Sequence, residues 1–319
     1  ATHNAVFAHR GIIPLLRNVR SSAVATGLRL GAPGTALGNK GGVGISFNIG
    51  TTSCIFVNSH LAAHQNNVRE RNDHFYHISH GLMRELGPPR LCIGSSGGGG
   101  SGGDRLLSMN ESAPTATPAP SADSEQPPPG TKEGDTRTRS RISSDTLPTV
   151  FDRVVWAGDL NYRINAPRGV ADLLLSKDMH DVLLKNEQLS LERSRHIGKA
   201  GRGGEGGTLG DPLVPFSGYS EGPLNFRPTY KFDSGTDTYD TSTKQRVPAW
   251  TDRILYSGTG TVELRAYRSV RELKTSDHRP VLASFVMKFD QRQDGGDGDS
   301  GVEGAAVTNQ TSSQVCSVM

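Results

Sequence analysis

Asp159 and Asn161 stand two residues apart, just after an apolar run at 154–157 (Val-Val-Trp-Ala) and Gly158. On an extended backbone residues i and i+2 point to the same side. One of the pair could accept a proton from water while the other holds the water or a phosphoryl oxygen. Three more polar clusters adjoin apolar, β-prone runs: His60 after 54–59, Asp252 with Arg253 before 254–256, and Asp277 with His278 before 281–286. Asp, Asn and His without a Ser or Cys nucleophile suit a metal-assisted hydrolysis in which water attacks directly. Carboxylate and amide oxygens fit a hard cation such as Mg²⁺ better than zinc. Each cluster alone has a plainer reading as a turn, a structural histidine or a local ion pair. Together they predict a site, provided that the strands share one sheet rim.

The elements that must position these groups follow from hydrophobic period. Residues 43–49 and 54–60 are β-rich runs joined by a polar turn and predict a hairpin. Over 67–86, Val68, Phe75, Ile78, Leu82 and Leu86 fall on one helical face, and Gly87-Pro88-Pro89 ends it. Residues 169–175 and 178–191 predict short helices. Strands are predicted at 154–159, 254–256, 262–267 and 281–286, and an extended polar-aromatic loop at 226–233. Residues 1–30 predict only a loop with a short strand end or helix. The pattern is α/β.

The chain has 319 residues and a net charge of +3, too small to argue for nucleic acid or a membrane surface by itself. Cys54, Cys92 and Cys316 are widely spaced and odd in number, which predicts a reducing compartment and no disulfide framework. No apolar run approaches the ~20 residues of a membrane span. Residues 94–147 are dominated by Gly, Ser, Pro, Thr and charge, without aromatics. Such a segment buries too little apolar surface to offset its ordering entropy. It reads as a disordered insertion within one domain formed by 1–93 and 148–290, with a further flexible stretch at 198–210 and a disordered tail at 291–319.

Residues 156–163 (Trp-Ala-Gly-Asp-Leu-Asn-Tyr-Arg) and 248–255 (Pro-Ala-Trp-Thr-Asp-Arg-Ile-Leu) resemble the two signatures of the inositol polyphosphate 5-phosphatases. The segments 38–42, 58–64, 228–231 and 275–280 match in the same order. The resemblance implies the endonuclease/exonuclease/phosphatase fold, a four-layer sandwich of two packed mixed β-sheets flanked by helices. It implies Mg²⁺-dependent removal of the 5-phosphate from phosphoinositides or soluble inositol phosphates. Carried onto this chain, Asp159 activates or positions water, and Asn161 orients it and contacts phosphate. His278 binds the scissile phosphoryl group with Asp252 fixing its tautomer, and His60 is a second phosphate ligand. Asp277 lies nearest the metal. Asn39, Lys40, Arg163, Tyr230, Lys231, Lys244 and Arg246 are the implied ligands of the ring phosphates, with Lys231, Lys244 and Arg246 on the 4-phosphate.

The chain departs from the family pattern at Thr251, where Cys is usual, and local repacking is expected there. No segment before Ala5 matches the family's strands that carry an Asn and a metal-binding Glu, so the domain reads as N-terminally incomplete. Cys316-Ser317-Val318-Met319 fits a prenylation box favouring farnesyl, although the tail carries acidic residues and no polybasic run. The expected partners are a phosphoinositide or inositol polyphosphate and, through the farnesyl, the cytosolic face of a membrane, with no nucleic acid. The competing readings are a catalytically impaired phosphoinositide binder and a nuclease of the same fold.

Overall fold

The computed structural model describes residues 2–29, 36–37, 40–87, 146–194, 214–290 and the backbone of 312–318. Its centre is a six-stranded sheet in the order β1 (Leu16–Ala25), β4 (Gly41–Ile49), β5 (Thr52–His60), β6 (Arg153–Asp159), β8 (Asp252–Ser257) and β7 (Ser220–Glu221). β5 and β6 run parallel and the other pairs antiparallel, so the sheet is mixed. A second, antiparallel sheet holds β9 (Val262–Ser269), β10 (Val281–Lys288) and β11 (Ser312–Val318), and β2 (Leu28–Arg29) pairs with β3 (Ala36–Leu37). The tail read as structureless thus contributes one strand in backbone pairing with β10. The insertion at 94–147, apart from its last two residues, and the stretch at 198–210 lie outside the described residues.

Side-chain alternation along β6 explains the layering. Val154 and Trp156 face α1 (Val68–Leu86), where Phe75, Ile78, Leu82 and Leu86 complete one core. Val155 and Ala157 face the other way, into a core with Val281, Ala283, Phe285 and Met287 of β10. A strand buried on both faces reads as an apolar run, as 154–157 does. The short helices α3 (Arg168–Ser176) and α4 (His180–Leu184) place Ala171, Leu175 and Leu183 in this second core. α2 (Leu147–Val150) leads into β6.

Two elements differ from the sequence reading. The chain before Thr26 forms the ten-residue strand β1, with its middle exposed. Its sequence, Leu-Arg-Asn-Val-Arg-Ser-Ser-Ala-Val-Ala, lacks the apolar alternation that marks a strand, because little of it is buried. The helix predicted over 178–191 is two helices, α4 and α5 (Gln188–Ser194). Between them Glu187 accepts the N–H groups of Leu189 and Ser190 at 3.0 and 2.8 Å, which caps α5 afresh.

Gly158 sits at φ +146°, and a Cβ there would lie 1.9 Å from the Ser59 carbonyl oxygen. Gly158→Ala therefore forces β5 and β6 apart next to Asp159. It is expected to destabilise the fold by about 3 kcal/mol or more, read as a lower denaturant midpoint in chemical unfolding.

Candidate active site

Strand register builds the site. His60 ends β5 opposite Asp159 of β6, and Asp159 lies opposite Asp252 of β8. The three side chains stand in one row across the sheet rim, as the spacing of polar strand ends predicts. His60 Nε2 is 3.2 Å from Asp159 Oδ2. Lys40 Nζ also contacts His60 Nε2. Burial favours the neutral amine form of Lys40 and lowers its pKa, with Asp159 opposing and Arg163 adding to the drop.

His278 completes the row from the loop before β10. Its Nδ1 is 2.9 and 3.1 Å from the two oxygens of Asp252. The loop that carries it is tied down by Arg279 N donating to Thr229 O at 2.8 Å and Phe232 N donating to Asp277 O at 2.8 Å. Asp252 also accepts the hydroxyls of Thr229 at 2.7 Å and Thr251 at 3.0 Å. Thr251 therefore does more than repack the position where Cys is usual: its hydroxyl donates to the carboxylate that orients the histidine. Burial disfavours the His278 charge. The attraction and hydrogen bond of Asp252, with Asp159 and Asp277, more than reverse this and lift its pKa to about 9. Burial pushes Asp159 the opposite way, but the hydrogen bond from His60 and the charges of His278, His60 and Arg163 hold it below the usual carboxylate range.

Asn161 adopts φ +57°, a left-handed conformation that Asn tolerates better than most residues. Its amide nitrogen donates to Asp159 Oδ2 at 3.0 Å and Leu61 O at 3.1 Å. Its amide oxygen accepts from Arg163 Nη2. Asn161 is therefore built to fix Asp159. Arg163 stacks 4.5 Å over the Tyr230 ring, whose centroid is 4.6 Å from that of His278. Arg163, Tyr230 and His278 thus form a continuous wall beside the carboxylates.

The remaining sequence candidates divide. Lys231 Nζ lies 2.8 Å from Asp277 Oδ2. That hydrogen bond raises the Lys231 pKa and, against burial, lowers that of Asp277. Lys244 is exposed and Arg246 half-buried. Both share the 230–246 loop with Lys231, folded around Asp240, whose carboxylate accepts the N–H groups of Ser242 and Arg246 and whose own N–H donates to Lys231 O. Asn39 lies outside the described residues, as does the side chain of Cys316. Among the described residues no group of three or more His, Cys, Asp and Glu is gathered to hold a metal ion. Asp159 is engaged by His60 and Asn161, and Asp277, the residue expected nearest the metal, is engaged by Lys231. These donors as arranged do not fit a resident divalent cation.

Sequence reading missed the supports. Buried Arg71 of α1 donates to the carbonyls of Ala62, His64 and Gln65 and to Gln188 Oε1 at 3.1, 2.7, 3.3 and 2.6 Å, clasping the loop after His60. Arg253 pairs with Glu221 at 2.6 Å and lies 3.2 Å from Glu187 on the opposite face of β8 from Asp252. An arginine on the apolar face of a predicted helix was the available signal for Arg71.

The sequence matches the Endonuclease/Exonuclease/phosphatase family 2 over residues 1–203 and 211–284. It is 33% identical over 86% of its length to the polyphosphatidylinositol phosphatase INP53 of Saccharomyces cerevisiae, covering 18% of that protein. It is 31% identical over 85% of its length to the type II inositol 1,4,5-trisphosphate 5-phosphatase of Mus musculus, covering 20% of that protein. The chain thus spans about a fifth of the length of these curated relatives. Among solved structures it resembles the inositol polyphosphate 5-phosphatase domain of SpSynaptojanin, whose complex holds inositol (1,4)-bisphosphate and a calcium ion. That match has 30% identity and a TM-score of 0.52, and covers 85% of this chain and 55% of the other.

In the metal-free protein His278 is expected to titrate at about 9, followed by NMR of the imidazole. Because the folded value lies above the ordinary 6.5, its stabilising contribution is complete below about pH 6.5 and is lost as pH rises through about 9. Asp252→Asn should bring the titration down toward or below 6.5, and a parent His278 already titrating there would refute the pairing.

Proposed function

The chain belongs to the Endonuclease/Exonuclease/phosphatase family 2, and on that premise we propose that it acts as an inositol polyphosphate 5-phosphatase, hydrolysing the 5-phosphate of phosphoinositides or inositol polyphosphates, a reading supported by its similarity to named 5-phosphatases. The observation that carries this reading is the His278–Asp252 pair set across from Asp159 on one sheet rim. His278, charged at neutral pH, donates to a phosphoryl oxygen and offsets the charge that develops there. Asp159, ionised and held by Asn161, orients the attacking water and accepts its proton as the oxygen bonds to phosphorus. The inositol oxygen leaves with the electron pair of the broken P–O bond and is then protonated. Lys40, Arg163 and Lys231 supply positive charge for the ring phosphates, with Lys244 and Arg246 on the flanking loop. Phosphatidylinositol 4,5-bisphosphate exemplifies the proposed substrates, and Mg²⁺ is the ion proposed for the reaction. The described residues offer it no complete ligand set, so no step above is assigned to it.

Lys231 on the Asp277 carboxylate favours a second reading, a phosphoinositide binder without turnover. The two separate in one assay: phosphate release with Mg²⁺ from vesicles containing phosphatidylinositol 4,5-bisphosphate and from inositol 1,4,5-trisphosphate. Turnover is expected, and Asp159→Asn should lower kcat/KM by about a thousandfold or more. Retained binding of inositol 1,4-bisphosphate without any release would establish the binder instead.

Membrane attachment is proposed through a farnesyl on Cys316 wherever Met319 ends the mature chain. Cys316→Ser should then move the protein from the membrane to the soluble fraction of a cytoplasmic lysate, and unchanged sedimentation would rule the anchor out.

A further inference from the structure

A second basic cavity of about 170 Å³ lies beside the 227–239 loop, lined by none of the residues placed in the candidate active site. Three guanidinium groups, those of Arg227, Arg271 and Arg279, share its wall with Phe232, Asp237 and Tyr239. Arg279 is fixed: its side chain is 1% exposed, its guanidinium lies 3.9 Å over the Phe232 ring, and its terminal nitrogens donate to the carbonyls of Ser276 and Thr236. Its buried Nε has no acceptor among the described residues.

Charge around the cavity is unbalanced. Asp237 lies 3.7 Å from Arg279 but 2.6 Å from Lys274, so one carboxylate serves both. Arg227 lies 3.6 Å from Asp178, donates to the Leu175 carbonyl at 3.2 Å and also meets the Tyr239 hydroxyl of the cavity wall. Arg271 is exposed and has no carboxylate within ion-pair distance among the described residues. Three arginines and one carboxylate, Asp237, therefore line the cavity, and that carboxylate is shared with Lys274 outside it; the surplus charge sits on planar forks that match phosphate oxygens in pairs. The space is ample for one hydrated phosphoryl group.

We infer that this cavity is a second anion site, taking a single phosphate group as orthophosphate or as a monoester headgroup. It does not depend on the phosphatase reading. It abuts the catalytic loops through the chain: Phe232 follows Lys231, and Arg279 follows His278. An anion held by Arg271 and Arg227 braces both loops against each other.

The test is orthophosphate titration by calorimetry in a His278→Ala background, which removes a phosphate contact of the catalytic site. One phosphate should still bind. Adding Arg271→Glu should weaken it at least tenfold, while Arg271→Lys, which keeps the charge and loses the paired fork, should weaken it by less than Arg271→Glu. Arg271 is exposed, so these variants are expected to fold, and matched thermal melts check that they do. No binding in the His278→Ala protein, or binding indifferent to Arg271→Glu, overturns the site. Sedimentation with phosphatidate against phosphatidylcholine vesicles assigns the source. Phosphatidate-specific retention lost in Arg271→Glu identifies a lipid headgroup, and orthophosphate binding without such retention identifies the soluble anion.

Discussion

Two carboxylates on neighbouring strands, Asp159 and Asp252, stand side by side across the sheet rim because β6 and β8 pair in that register. Strands lie only ~4.8 Å apart, so like charges in such a row repel unless cations enter between or beside them. The rest of the site answers that demand. His278 comes from the loop before β10 and Arg163 from the turn that follows Asn161, while the His60 ring from the strand on the other side lies 3.2 Å from Asp159. The row survives only while register holds, because a slip of one residue turns every side chain to the other face. Burial of β6 on both faces, with Trp156 donating to Ser59 Oγ at 2.9 Å, makes such a slip costly.

The same alternation puts a different set of charges behind the row. Asp252 and Arg253 are successive residues on β8 and point to opposite faces. Asp252 meets His278 and two threonine hydroxyls, while Arg253 meets Glu221 and Glu187 in the interior. Burial disfavours the Arg253 charge, but the two carboxylates hold it well above the ordinary guanidinium value. A buried charge whose partner is removed is left uncompensated, at a cost of roughly 3–5 kcal/mol. Glu187 is also the residue that separates α4 from α5. One carboxylate therefore couples the helix boundary to the strand that carries Asp252 to His278.

The features legible in the sequence are those written in local pattern. Helix 67–86 and the 43–60 hairpin follow from apolar period, and Asp159, Asp252 and His278 follow from polar residues placed next to apolar runs. β1 was hidden because an exposed strand need not alternate. The break at Glu187 was hidden because α4 and α5 together keep a helical apolar face, which masks the cap that Glu187 makes on Leu189 and Ser190. Thr229 and Thr251 lay within quoted motifs, yet their donation to Asp252 depends on the bridge between Tyr230 and Ala249, a contact between loops that no local pattern encodes. Arg71 was missed for a related reason: its partners are backbone carbonyls, which leave no mark on residue type. Asn161 was legible as a site residue, but its left-handed backbone and its partners Leu61 O and Arg163 are visible only once the turn is folded.

The pairing of Lys231 with Asp277 bears most directly on how the site meets its ligand. At neutral pH the immediate set holds three carboxylates, Asp159, Asp252 and Asp277, against His278, Arg163, Lys231 and Lys40. Each carboxylate already has a cation or amide at hydrogen-bonding distance. A phosphate group entering this set brings negative charge and competes with Asp277 for the ammonium of Lys231. An entering anion therefore gains Lys231 only by exchange with the Asp277 carboxylate, 2.8 Å from it, and the other cations of the row must offset the carboxylate charge this leaves unpaired.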